Sequence, residues 1–166
     1  MNRLTRIGSL AALAAVSTLA LSQDAVTKAA NQAEATKAIE ARQALFKEIK
    51  DLNDPIGLML RRQRPVDPAL VATNADKIAE LAARIPAAYA VDTRGFTGTK
   101  TGAVDGIWNS QADFKTKADA LVTAAKEAAA AGKTGDAAAT QRALTGIGRS
   151  CGSCGGEAST SSARAA

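Results

Sequence analysis

The sequence predicts an all-α protein folded as an antiparallel four-helix bundle, and three observations carry that expectation. Alanine is very abundant and aromatic residues make up only 3% of the chain, a composition that suits helices better than sheets. Four segments place apolar residues at steps of three and four, the spacing of one helix face. Glycine and proline punctuation is confined to a few spots between those segments. The 166 residues suffice for one domain around one core, and four amphipathic helices with mostly short connections bury their stripes best as a bundle.

The elements follow in order. Residues 1–22 read as a signal peptide: Arg3 and Arg6 form a basic start, Ile7 to Leu21 is apolar, and Ala20-Leu21-Ser22 offers small residues for cleavage before Gln23. The apolar stretch falls short of the roughly 20 residues that span a bilayer. Export to the periplasm is expected, with no membrane attachment once the signal is removed. A first helix is expected from Asp24 to Leu52, with Ile39, Phe46 and Ile49 on one face and Leu45 and Leu52 on an adjacent one. Turn chemistry at Asn53-Asp54-Pro55-Ile56-Gly57 ends it. The second helix opens with Asp67 as N-cap and Pro68 in the first turn. Leu70, Ile78, Leu81 and Ile85 mark its inner face, and Pro86 stops it. Val91 to Gly102, rich in Gly and Thr, reads as a long crossing loop. A third helix is expected over Val104 to Ala131, with Ile107, Phe114, Ala118, Leu121 and Ala125 facing inward, then a break at Gly132-Lys133-Thr134-Gly135. Asp136 begins the fourth helix. The bundle domain is thus 23–155, and the tail 156–166, which lacks an apolar pattern, reads as disordered.

The fourth helix holds the only two cysteines, spaced Cys151-Gly152-Ser153-Cys154. Leu144, Ile147, Cys151 and Cys154 lie on one face, so both sulfurs point toward the core. A C-x-x-C followed by His is the attachment signature for c-type haem, with two thioethers to the porphyrin and an axial imidazole on the iron. Here Gly155 stands at the His position, and the chain contains no His. A redox-active pair would want its first Cys at a helix N-terminus, where the dipole favours a thiolate; this pair ends a helix. Zinc would be two ligands short. A disulfide, inert thiols and haem attachment remain open on the residues alone.

Charge excludes one further class. The net +5 is spread over basic residues interleaved with acids, which reads as a solvated surface and not as a nucleic-acid site. No clustered acid pair and no activated nucleophile is found, so the chain is not expected to be an enzyme.

Over roughly residues 34–155 the chain resembles cytochrome c′ and its class II cytochrome c relatives. Ile39-Glu40-Ala41-Arg42-Gln43-Ala44-Leu45-Phe46-Lys47 is similar to the family's first-helix Arg-Gln motif. Thr101-Gly102-Ala103-Val104-Asp105-Gly106-Ile107-Trp108, followed by Phe114, is similar to its Thr, Ile-Trp and Phe, and Ile147-Gly148 precedes the C-x-x-C as in the family. The resemblance implies haem c tethered by Cys151 and Cys154. It also implies a haem pocket of Arg42, Gln43, Phe46, Thr101, Trp108 and Phe114, with Arg42 near the haem or its propionates. Phe46 matches the side chain over the distal face of the iron, which is a ligating Met in low-spin relatives. Phe cannot ligate, so a five-coordinate haem that binds nitric oxide or carbon monoxide, or transfers electrons to redox partner proteins, is implied. A homodimer through the first two helices is implied as well.

The match stops abruptly after Cys154. Gly155 replaces the axial His, and Gly156-Glu157-Ala158-Ser159 lacks the aromatic and basic residues the family places there. A step at one point is what a reading-frame shift produces, and resequencing the gene through codon 155 tests that origin. As written, the chain supplies no axial His. Met59 is the only other soft ligand of the mature chain and lies outside the matched motifs. The axial metal ligand is therefore left unassigned, to water or an exogenous ligand. The alternative is a haem-free helical bundle, degenerate or frame-shifted, with a C-x-x-C disulfide and a structural or binding role.

Overall fold

Helix α1 (Gln32–Leu60) starts where two side chains cap each other. Asn31 Oδ1 accepts from the Glu34 amide at 3.0 Å, and Glu34 Oε2 accepts from the Ala30 amide at 2.7 Å. This reciprocal pairing satisfies donors that the first turn leaves open. The helix therefore begins later than the Asp24 start expected. The computed structural model describes residues 26–160, with side chains through Ser153, so the expected signal peptide over 1–22 lies outside the described residues. Ahead of α1, β1 (Thr27–Lys28) pairs in parallel with β2 (Val91–Asp92). The Thr27 amide donates to Ala90 O and the Ala29 amide to Asp92 O, both at 2.9 Å.

The expected end of the first helix at residues 53–57 does not occur. Helix α1 runs through Pro55 to Leu60. A mid-helix proline removes one N–H and crowds the preceding turn. Burial offsets that cost, and Asn74 Nδ2, from the neighbouring helix, anchors the same turn by donating to the Leu52 carbonyl at 2.9 Å. Beyond the proline, Ile56 and Met59 are 1% and 0% exposed, so continuing the helix buries two large side chains.

Helix α2 (Pro68–Ala82) begins as expected, with Asp67 Oδ1 accepting from the Leu70 amide at 3.0 Å. Its buried face is Val71, Ala75, Ile78, Ala79, Leu81 and Ala82, while Leu70 is only half-buried. Pro86 sits in the first turn of a short helix, α3 (Ile85–Ala88), and so opens an element after α2 has already ended. The third long helix is not continuous. Ser110, at φ −137° and ψ 61°, separates α4 (Gly106–Asn109) from α5 (Gln111–Lys133). Gly135, at φ +75°, ends α5 in the left-handed conformation that glycine tolerates. Asp136 then caps α6 (Ala137–Thr160), its Oδ1 accepting from the amides of Ala138 and Ala139 at 2.8 and 3.1 Å. Those two bonds hold its carboxyl below the usual range. Helix α6 continues through residues 156–160, the first part of the expected tail; the remainder lies outside the described residues.

Helix α1 packs on α2 and α6, and α5 packs on the same two, which closes a four-helix bundle with α1 and α5 on a diagonal. The α2–α5 seam is built from very small residues. A Cβ added to Gly132 would sit 2.5 Å from the Pro68 carbonyl oxygen and 2.7 Å from the Ala72 nitrogen, so the two backbones approach as closely as glycine allows. Among the described residues no helix is long and apolar enough to cross a membrane.

Candidate functional site

The diagonal between α1 and α5 is not filled. A cavity of about 730 Å³ opens there, walled by Ile39, Phe46 and Ile49 of α1, Ile107 of α4, and Phe114 and Leu121 of α5. Ile85 and Tyr89 close one side, residues 101–104 form a rim, and Cys151 of α6 stands in the wall, half-buried. Phe46 is 37% exposed even though its ring meets the Tyr89 ring edge-on, with centroids 6.4 Å apart. A large apolar side chain left this bare on the wall of an apolar cavity is the surface a hydrophobic ligand would cover.

Tyr89, the one tyrosine in the chain, organises the inner wall. Its ring lies 4.9 Å from Phe114 and 6.1 Å from Trp108, and the Trp108 indole N–H donates to its carbonyl at 3.2 Å. Trp108 and Phe114 are about 120° apart around a regular helix; the break at Ser110 lets both reach Tyr89. Sequence reasoning missed this residue. Its signal was available: a lone Tyr just after a proline, in a chain nearly without aromatics.

Arg42 is 3% exposed, and its guanidinium is committed to two backbone carbonyls and a threonine hydroxyl. Nε donates to Ala88 O at 2.8 Å, Nη1 to Thr93 Oγ1 at 3.0 Å, and Nη2 to Val91 O. Its planar fork also lies over Tyr89 and Trp108, at 4.6 and 5.3 Å from the ring centroids. Burial pushes its pKa down, while Tyr89 and Asp92 oppose that shift. Arg42 therefore lines the cavity but works as a clamp, fastening α1 to the α3–β2 junction. Beside it, hydrogen bonds from Arg94 hold the Asp92 carboxyl below the usual carboxylate range, burial working against them. The pair is closed by Arg94 Nη2 to Asp92 Oδ2 at 2.6 Å.

The remaining predicted residues sort cleanly. Gln43 Nε2 donates to Lys100 O at 3.0 Å, tying α1 to the rim loop. Thr101 Oγ1 accepts from the Ala103 amide at 3.1 Å and shapes that loop. Arg42, Gln43, Phe46, Thr101, Phe114 and Cys151 all border the cavity, and Trp108 stands behind Tyr89. Cys154 falls on α6, one helical step from Cys151, but its side chain lies outside the described residues. Met59 is fully buried in the core and is not part of the cavity wall. Among the described residues no three His, Cys, Asp or Glu side chains gather as a metal site.

Residues 37–156 match the family described as Cytochrome C'. The chain belongs to the cytochrome c′ family. It is similar to the cytochrome c′ of Rhodospirillum rubrum, 32% identical over 149 residues that cover 90% of this chain and 94% of that one. It is also similar in structure to the cytochrome c′ of Shewanella frigidimarina, at TM-score 0.63 and 32% identity over 74% of this chain and 93% of that one. A nitric oxide complex of a cytochrome c′ variant from Alcaligenes xylosoxidans matches at TM-score 0.61 and 25% identity, covering 74% and 92%. The family is one of haem c proteins and is typically periplasmic.

Tested against that group, this chain fits in one respect and departs in another. An apolar cavity with bare aromatic edges and a cysteine in its wall suits a flat hydrophobic macrocycle and a thioether. The iron finds no family ligand: there is no His in the chain, and Met59 is sealed elsewhere.

Proposed function

We propose that this chain is an exported periplasmic haem c protein of the cytochrome c′ type. It binds small gases such as nitric oxide or carbon monoxide, passes electrons to redox partner proteins, and catalyses no reaction. The observation that carries this reading is Cys151 standing in the wall of an apolar cavity that leaves Phe46 bare. Membership of the cytochrome c′ family supports it, as does likeness to a protein whose nitric oxide complex has been solved. The homodimer through the first two helices rests on the family resemblance, and the signal peptide on residues 1–22.

When bound, haem supplies a one-electron iron centre that takes diatomic ligands. The chain's own residues do the rest. Cys151 and Cys154 would hold the group as two thioethers from one face of α6. Phe46 has no lone pair, so it leaves a face of the site to a diatomic ligand and keeps it apolar. Arg42 and Gln43 fasten α1 to the loops that close the cavity.

Optical spectra of the reduced exported protein test the reading. A c-type pyridine haemochrome and a shift of the haem bands under nitric oxide are expected. Phe46→Met, which offers a thioether to the iron, is expected to abolish the gas-induced shift while leaving the haemochrome. Haem present but indifferent to nitric oxide and carbon monoxide would restrict the function to electron transfer.

A further inference from the structure

We propose that the loop joining α1 to α2 is a binding site for a phosphate group, separate from the cavity described above. An open hollow of about 510 Å³ lies there, lined by Arg62, Gln63, Arg64, Pro65 and Val66 of the loop and by Gln141 of α6. None of these residues borders the cavity. The way the chain closes α1 points to a use for the arginines. The Arg62 amide donates to Met59 O at 2.9 Å and the Gln63 amide to Leu58 O at 2.8 Å. In this paired closure the residue just past the helix is left-handed and is usually glycine. Here Arg62 takes that place at φ +58°, although the same chain puts Gly135 there at the end of α5. A strained arginine where glycine would fit freely is a sign that its side chain is used.

The lining carries two guanidiniums and two carboxamides and no carboxylate. Arg62 and Arg64 are both exposed, and among the described residues neither makes an ion pair. The helix lysines behave otherwise: Lys47, Lys50, Lys77, Lys115, Lys117 and Lys133 are each paired with an acid. The neighbouring acid, Asp67, is spent on the Leu70 amide. Arg61 Nε donates to Gln63 Oε1 at 3.3 Å, which leaves the Gln63 amide NH₂ group unspent. Two permanent positive charges beside amide donors match a doubly charged oxyanion, and the planar fork of arginine meets phosphate oxygens two at a time. The negative end of α1 also favours cations, but that attraction fades within a turn. It accounts neither for Arg64 nor for a left-handed Arg62 in place of glycine.

Inorganic phosphate is the probe. The exported full-length protein, isotope-labelled, is titrated with phosphate and, at matched ionic strength, with chloride, while its backbone and arginine Nε resonances are followed. Saturable shifts centred on residues 62–66 and 141 are expected with phosphate alone. Arg62→Gly is expected to weaken the response by about fivefold or more while keeping or raising the melting temperature, because it removes the left-handed strain. Arg64→Gln is expected to weaken it by a similar factor with the melting temperature unchanged. Phosphate shifts no different from those of chloride would overturn the proposal, and so would Arg62→Gly titrating like the parent. Vesicles of phosphatidylglycerol then distinguish the source of the phosphate. Co-sedimentation that free phosphate displaces assigns the group to a lipid headgroup, and phosphate binding without co-sedimentation assigns it to a soluble phosphate. Co-sedimentation that free phosphate leaves intact would overturn the hollow as a phosphate site. No readout here involves haem, so this proposal and the haem reading stand or fall separately.

Discussion

Helix α5 faces α2 and α1 across two regions built from opposite materials. Where α2 meets α5, alanines and Gly132 bring the backbones to a distance that leaves no room for one methyl group. Where α1 faces α5, the walls are Ile39, Phe46, Ile49, Ile107 and Phe114, yet a cavity of about 730 Å³ remains between them. Space in this protein is therefore not left by small side chains. It is left by helix placement: the tight seam fixes α5 against α2, and α1, held by the Arg42 clamp and the capped N-terminus, stands off from it. One region sets the stability of the fold and the other leaves room for a ligand.

Substitutions that treat the two regions alike would break this comparison. Leu144, fully buried in the core, is expected to cost about 3 kcal/mol of unfolding free energy when replaced by Ala. Phe46→Ala on the cavity wall is expected to cost under about 1 kcal/mol in haem-free protein. Urea unfolding of both variants measures the difference, and equal losses would mean that the cavity wall is core. Gly132→Ala sharpens the contrast. Gly132 lies in the last turn of α5, where the gain of up to about 1 kcal/mol that a helix-interior glycine shows on becoming Ala is reduced; the added methyl meets backbone atoms, and a net loss of about 2 kcal/mol is expected. A gain in the melting temperature would contradict the tight seam.

The smallest effect is one of pH. Asp92 is held below the usual carboxylate range by Arg94. Its ion pair therefore stabilises the fold above the unfolded carboxyl value of about 3.9, and that contribution is lost as pH falls through the depressed folded value. Asp92→Asn is expected to flatten the fall of melting temperature below about pH 4, and an unchanged slope would exclude Asp92 as its source.

Local chemistry made much of the fold legible. Asp67 with Pro68, Gly135 and Asp136 act at the boundaries their residue types announce. Pro55 misled because the burial of Ile56 and Met59 is a tertiary gain that no turn signal reports. The break at Ser110 was hidden for the same reason: its benefit is that Trp108 and Phe114 both reach Tyr89. In the site, the family resemblance pointed to six residues that border one cavity. It could not reveal that the donors of Arg42 are spent on Ala88, Val91 and Thr93, since those partners lie far along the chain. Tyr89 escaped because it belongs to no helix-face repeat.

The central claim is that this cavity holds covalently bound haem although the axial His is absent. The most direct test is the denatured intact mass of the exported protein. A mass one haem above that of the mature chain, lost in a Cys151→Ser, Cys154→Ser variant, is the predicted result. An apo mass with no haem absorbance would contradict the account and leave a haem-free bundle whose cysteines serve some other end.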